Sequence, residues 1–138
     1  MGIALSDPTR TIASPHVTIE NRGEPRQPPE PLIRLVAETS PTTIVVGIPI
    51  RLDGSEGEMA AEAREFGRRL AEATGVPVVE WDERLTSARA RRSIAETGRR
   101  GRRVRKGEED MVAAAHLLRS YMDATARAEA AGPEGASE

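Results

Sequence analysis

The sequence predicts a three-layer α/β domain with a largely parallel sheet. Three observations lead there. Short β-branched runs such as TTIVVGIPI (Thr42–Ile50) are apolar throughout, as in strands covered on both faces. Amphipathic stretches with helix start and stop signals separate the later strands. Strands joined through helices pair in parallel by right-handed crossovers.

The elements follow in order. GIALS, Gly2–Ser6, reads as a short strand entering a turn at Asp7-Pro8. IASPHVTIE, Ile12–Glu20, reads as a second strand interrupted by Pro15. Asn21–Pro31 carries four prolines among polar residues and reads as a loop. Leu32–Glu38 forms a short helix with Leu32, Leu35 and Val36 on one side, closed by Pro41. After the Thr42–Ile50 strand comes the loop RLDGSEG. Ser55 with Glu58 makes a capping-box pattern, and Met59, Ala63, Phe66, Leu70 and Ala73 form the apolar stripe of the helix it starts. Gly75 ends that helix, and the next strand is Val76–Trp81. Thr86 or Ser87 caps a further helix to Thr97. A basic loop spans Gly98–Gly107, and a last helix runs from Glu108 to about Asp123 with acids in its first turn. Residues 1–123 read as one domain and 124–138 as a flexible tail.

Composition narrows the function. The 138 residues suffice for one domain with a core. Zero cysteines exclude a disulfide framework and thiolate metal sites, and fit a cytoplasmic protein. No run approaches the ~20 apolar residues of a membrane span, and no signal peptide is visible. One each of Trp, Tyr and Phe argues against a base-stacking platform. Net charge is only −2, yet ten of the 20 basic residues lie between Arg84 and Lys106, against the single acid Glu96. Such a face suits a polyanion.

In VVEWDERLT, Val78–Thr86, an apolar strand stops at Asp82 and Glu83. Ligands of α/β sheets gather at the carboxyl ends of parallel strands. Asp110, Ala114, Leu117 and Tyr121 recur at helical spacing, which predicts that Asp110 lies on the core-facing stripe of the last helix. If it turns toward Asp82 and Glu83, the carboxylates supply hard oxygen ligands for Mg²⁺ or Mn²⁺. Such ions can activate water for phosphodiester hydrolysis. The bland alternatives are a solvated strand end and a carboxylate that complements the helix dipole. His16 and His116 have no partner at metal-ligand spacing, and the glycines around Asp53 read as turn residues.

ALSDP, IASP, IVVGIP, DGSEG, VVEWDERLT and RKGEEDMVAAA occur in that order. Together they resemble the YqgF-type, Holliday-junction-resolvase-like family of pre-16S rRNA nucleases over residues 2–123. The resemblance implies a ribonuclease-H-like three-layer fold with a mixed sheet flanked by helices. It implies a divalent-metal-dependent nuclease of the bacterial cytoplasm that trims the 5′ end of precursor 16S rRNA in ribosome biogenesis. By position, Glu83 and Asp110 match metal-binding active-site carboxylates, with Asp82 as a weaker catalytic candidate. Arg84, Arg99, Arg100, Arg102, Arg103, Arg105 and Lys106 are the expected nucleic-acid contacts. Family members resemble one another in opening with a strand of the type LGxDxGxxRIGVALSDP, whose Asp is a further metal ligand. Here the first residues are MGIALSDP, and Asp7 belongs to the later turn. The expectation is therefore a truncated first strand, a missing catalytic Asp and impaired cleavage. Arg51 also departs from the family, which often carries Asn there. Competing readings are a non-catalytic ribosome-associated RNA-binding protein and a branched-DNA resolvase, acting as monomer or homodimer. A structural protein with no nucleic-acid role is a further alternative, against which the basic cluster argues.

Overall fold

The computed structural model describes residues 1–86 and 108–130. The chain is mixed α/β, with small sheets flanked by helices, and divides into two compact units. One continuous sheet was expected; the described residues form two sheets of two strands each. The connections explain the pairing. A short turn between strands favours an antiparallel pair, whereas a helix between them permits a parallel one.

The first unit includes Ile19–Leu85. It contains α1 (Glu30–Thr39), β3 (Ile44–Ile48), α2 (Glu58–Thr74), β4 (Val78–Asp82) and a 3₁₀ turn at Glu83–Leu85. β3 and β4 run parallel, in register from Ile44 opposite Val78 to Ile48 opposite Asp82. α1 begins earlier than its apolar residues suggest, because Pro31 is tolerated in a first turn. It ends at Ser40, left-handed at φ 49°, whose N–H donates to the Val36 carbonyl at 2.9 Å.

α2 departs from expectation twice. Ser55 does not cap it; the N-cap is Gly57, with no side-chain bond. Ser55 is committed elsewhere, its carbonyl accepting from Arg51 N at 3.0 Å and its hydroxyl donating to Asp53 Oδ1 at 2.7 Å. The buried stripe is Ala60, Gly67 and Leu70, not one starting at Met59, which is 71% exposed. Gly67 explains the rotation. A Cβ there would stand 3.2 Å from Val78 Cγ1 and 3.9 Å from Val46 Cγ2, so the glycine lets helix and sheet approach closely. Glycine adds nothing to an apolar count. Leu32, Val36 and Ile48 are also buried in this unit.

The second unit joins β1 (Gly2–Ser6) and β2 (Ala13–Thr18) to α3 (Glu108–Ala130). The strands pair antiparallel, and the register shifts between Ile3 and Ala4, where Ala4 meets Pro15. Proline has no N–H for the ladder, so a bulge at this point follows from its chemistry. Ala13, Ala115 and Met122 form the core, with Ala4, Val112, Leu118 and Tyr121 against it. α3 continues to Ala130. The helix thus passes Asp123, where the tail was expected to begin, and residues 131–138 lie outside the described set.

Asp7 closes the β1–β2 turn. Its carboxylate accepts from the hydroxyl of Thr9, and from the N–H groups of Thr11 at 2.7 Å and Ile12 at 2.8 Å. These bonds, Thr9 foremost, hold its pKa far below the ordinary carboxylate value. A depressed value means stability that is present above about pH 4 and lost as pH falls below it. Thermal unfolding at pH 7 and at pH 3 should therefore show the wild type losing more on acidification than Asp7→Asn. Equal losses would dissociate the turn from the acid response.

Candidate active site

The carboxyl end of β4 is built from three consecutive residues, Asp82, Glu83 and Arg84. Asp82 is the last strand residue, opposite buried Ile48. Its oxygens receive the Arg84 side chain, at 3.0 Å and 3.1 Å from Nε and 2.7 Å from Nη2, and Oδ1 also accepts the Arg84 N–H at 2.9 Å. The 3₁₀ turn makes this geometry possible by folding Arg84 back over Asp82. The guanidinium hydrogen bonds lower the Asp82 pKa and raise that of Arg84. Glu83 opens the turn and is exposed. Among the described residues it has no hydrogen-bond or ion-pair partner.

The β3–α2 loop lies against this end. Arg84 Nη1 donates to the Arg51 carbonyl at 3.3 Å. The loop is closed internally by Gly54 N to Arg51 O at 2.8 Å and by Ser55 N to Asp53 Oδ1 at 2.9 Å. Asp53 is shifted low, first by the Ser55 hydroxyl and also by the nearby Arg84 charge. Arg51 is exposed; its Nη1 donates to Ser55 Oγ at 3.2 Å, and its guanidinium packs where a Cβ on Gly57 would be 2.4 Å from Nη2. Behind the loop, Arg64 joins Glu56 at 2.6 Å and also pairs with Glu80.

Asp110 belongs to the second unit, in the first turn of α3. It is exposed, not core-facing as its spacing with Ala114, Leu117 and Tyr121 predicted. Ala115 and Met122 define the buried face instead. The reason is the close approach of β1: a Cβ on Gly2 would stand 2.1 Å from the Asp110 carbonyl carbon, so strand backbone meets helix backbone there.

The structure thus brings Asp82, Glu83 and Arg84 together with the loop, while Asp110 sits in the other unit. Arg99, Arg100, Arg102, Arg103, Arg105 and Lys106 lie outside the described residues, as does the expected helix from Thr86 or Ser87 to Thr97 beyond Thr86 itself. The roles of Asp53 and Ser55 escaped the sequence reading. The Asp-x-Ser spacing was a usable signal, since such an aspartate often bonds the backbone two residues on.

Glu83 and Asp110 suit Mg²⁺ or Mn²⁺ in donor type, being carboxylates of the hard-oxygen kind. Asp82 is already occupied by Arg84. Among the described residues, no three His, Asp or Glu side chains gather as a metal-binding cluster.

A family model described as RuvX, Holliday junction resolvase, matches residues 1–124. Relatives carrying the name "Putative pre-16S rRNA nuclease" align over most of the chain. The one from Lachnospira eligens is 39% identical over 125 residues, covering 89% of this chain and 89% of its own. That from Agathobacter rectalis is 40% identical over 126 residues, covering 89% and 87%. That from Syntrophomonas wolfei is 38% identical over 123 residues, covering 89% and 86%.

Proposed function

The chain belongs to the RuvX family of Holliday junction resolvases, and from that premise we propose that it is a divalent-metal-dependent nuclease that processes the 5′ end of precursor 16S rRNA. The observation that carries this reading is the agreement of relatives 34–40% identical over about nine-tenths of the chain, all named for that substrate. A substrate of this kind puts the activity in the bacterial cytoplasm. No described helix is long and apolar enough to cross a membrane.

Glu83 and Asp110 are each assigned to holding Mg²⁺ or Mn²⁺. Bound divalent ions of this class lower the pKa of water and stabilise a leaving phosphate oxygen. Glu83 is exposed at the end of β4 and has no protein partner among the described residues, so it can meet an ion without breaking an existing bond. Asp82 keeps Arg84 in place. Arg99, Arg100, Arg102, Arg103, Arg105 and Lys106 supply cationic charge for backbone phosphates, the commonest role of Arg and Lys in nucleic-acid contacts.

Two substrates separate the readings. A transcript spanning the 5′ boundary of 16S precursor and a four-way DNA junction are each incubated with the protein and Mg²⁺. Cleavage of the transcript in preference to the junction supports rRNA processing; the reverse preference establishes a resolvase. Tight, metal-independent binding of the transcript with no cleavage would leave an RNA-binding module and refute the nuclease.

Binding itself should weaken steeply between about 50 and 200 mM salt. Replacing the six basic residues from Arg99 to Lys106 by Gln should flatten the log–log slope by about 0.7 for each single-strand phosphate no longer neutralised. A slope unchanged by all six replacements removes this segment from the interface.

A further inference from the structure

Charge alone assigns Arg84 to phosphate binding, but its exposed side chain is already held by protein acceptors. Nε and Nη2 hold both oxygens of Asp82, and Nη1 reaches the Arg51 carbonyl, 33 residues away in sequence. A planar guanidinium gripped on one edge has a fixed direction for its remaining nitrogen. Asp82 is itself anchored as the last residue of β4, so the direction is set by the sheet.

The target of that nitrogen is the first residue of a loop that is already rigid within itself. Arg51 N donates to Ser55 O at 3.0 Å, Gly54 N donates to Arg51 O at 2.8 Å, and Ile50 bridges Glu56. Asp53 and Ser55 stiffen it further. A unit of this kind moves as a body unless something ties it down. Arg84 ties it to the end of β4, next in sequence to Glu83. The loop in turn holds the exposed guanidinium of Arg51, supported by Ser55 Oγ and by the space above Gly57.

We infer that Arg84 is a positioning residue, which clamps the Arg51–Gly57 loop to the end of β4, and that Arg51, carried by the loop, is the arginine that meets substrate phosphate. The inference rests on the nuclease reading for its substrate. The clamp itself does not need that reading.

Amide hydrogen exchange and RNA binding are measured on the wild type, Arg84→Gln, Arg84→Lys and Arg51→Gln. In Arg84→Gln the amides of Arg51 and Gly54 should exchange about tenfold faster, as expected for loss of a charge-assisted bond. Its salt slope for binding should remain that of the wild type. Arg84→Lys should restore charge but not protection, because an ammonium cannot grip both carboxylate oxygens and also reach the carbonyl. Arg51→Gln should leave loop protection intact and lower the slope by about 0.7. A slope drop of that size in Arg84→Gln, with loop amides as protected as in the wild type, overturns the inference and returns Arg84 to phosphate binding. If no variant or wild type binds RNA, the nuclease reading fails, while the exchange data still decide the clamp.

Discussion

Glu83→Gln and Asp110→Asn should each slow RNA cleavage by at least about 10²-fold while leaving RNA binding within about threefold. Each substitution keeps the shape of the side chain and removes one negative oxygen donor. A metal-bound transition state is stabilised by several kcal/mol, and each ~1.4 kcal/mol lost is a factor of ten in rate. Neither change should harm the fold. Both side chains are exposed, and exposed substitutions usually stay within about 0.5 kcal/mol. Asp110 also faces the positive end of the α3 dipole, so its loss adds at most about 1 kcal/mol. Single-turnover cleavage with a thermal unfolding curve for each variant checks both halves. A variant that unfolds normally and still cuts at the wild-type rate removes that carboxylate from the mechanism.

Ile48→Ala should carry the largest stability cost among the substitutions considered. Ile48 is 1% exposed, ends β3 and lies in register with Asp82. Removing its side chain costs about 2–5 kcal/mol, the transfer energy plus the cavity left behind. Against a total near 5–15 kcal/mol, that lowers Tm by roughly 8–20 °C at about 4 °C per kcal/mol. Leu52→Ala is the matched control: Leu52 is 94% exposed and its truncation should leave Tm unchanged. A Tm for Ile48→Ala within a degree of the wild type would mean that this strand end is not packed as described.

Periodicity and punctuation located most of the fold. The strands and the first two helices found among the described residues were expected within a few residues of their places, because prolines, Gly75 and β-branched runs act locally. The last helix runs on to Ala130, past the expected end near Asp123, and the 3₁₀ turn at Glu83–Leu85 was not foreseen. The errors came from non-local packing. The two helix faces were rotated because Gly67 and Gly2 allow backbone and side chains to come close, and a missing Cβ leaves no apolar signature. A single sheet was expected because helices between strands indicate parallel pairing. Among the described residues β3 and β4 pair that way, while β2 and β3, also joined through a helix, belong to different sheets. At the site, the Asp82–Glu83–Arg84 run was legible as charge at a strand end. Its division of labour was not, since Asp82 and Glu83 are indistinguishable until a 3₁₀ turn folds Arg84 onto one of them.

The central claim is that the chain cuts RNA through a divalent ion. The direct measurement is single-turnover cleavage of an end-labelled 16S precursor transcript by the wild-type protein, with Mg²⁺ and again after chelation. Cleavage near the mature 5′ end that requires Mg²⁺ and is restored by its return is the predicted result. Equal cleavage with and without the ion, or none under either condition while binding persists, would contradict it.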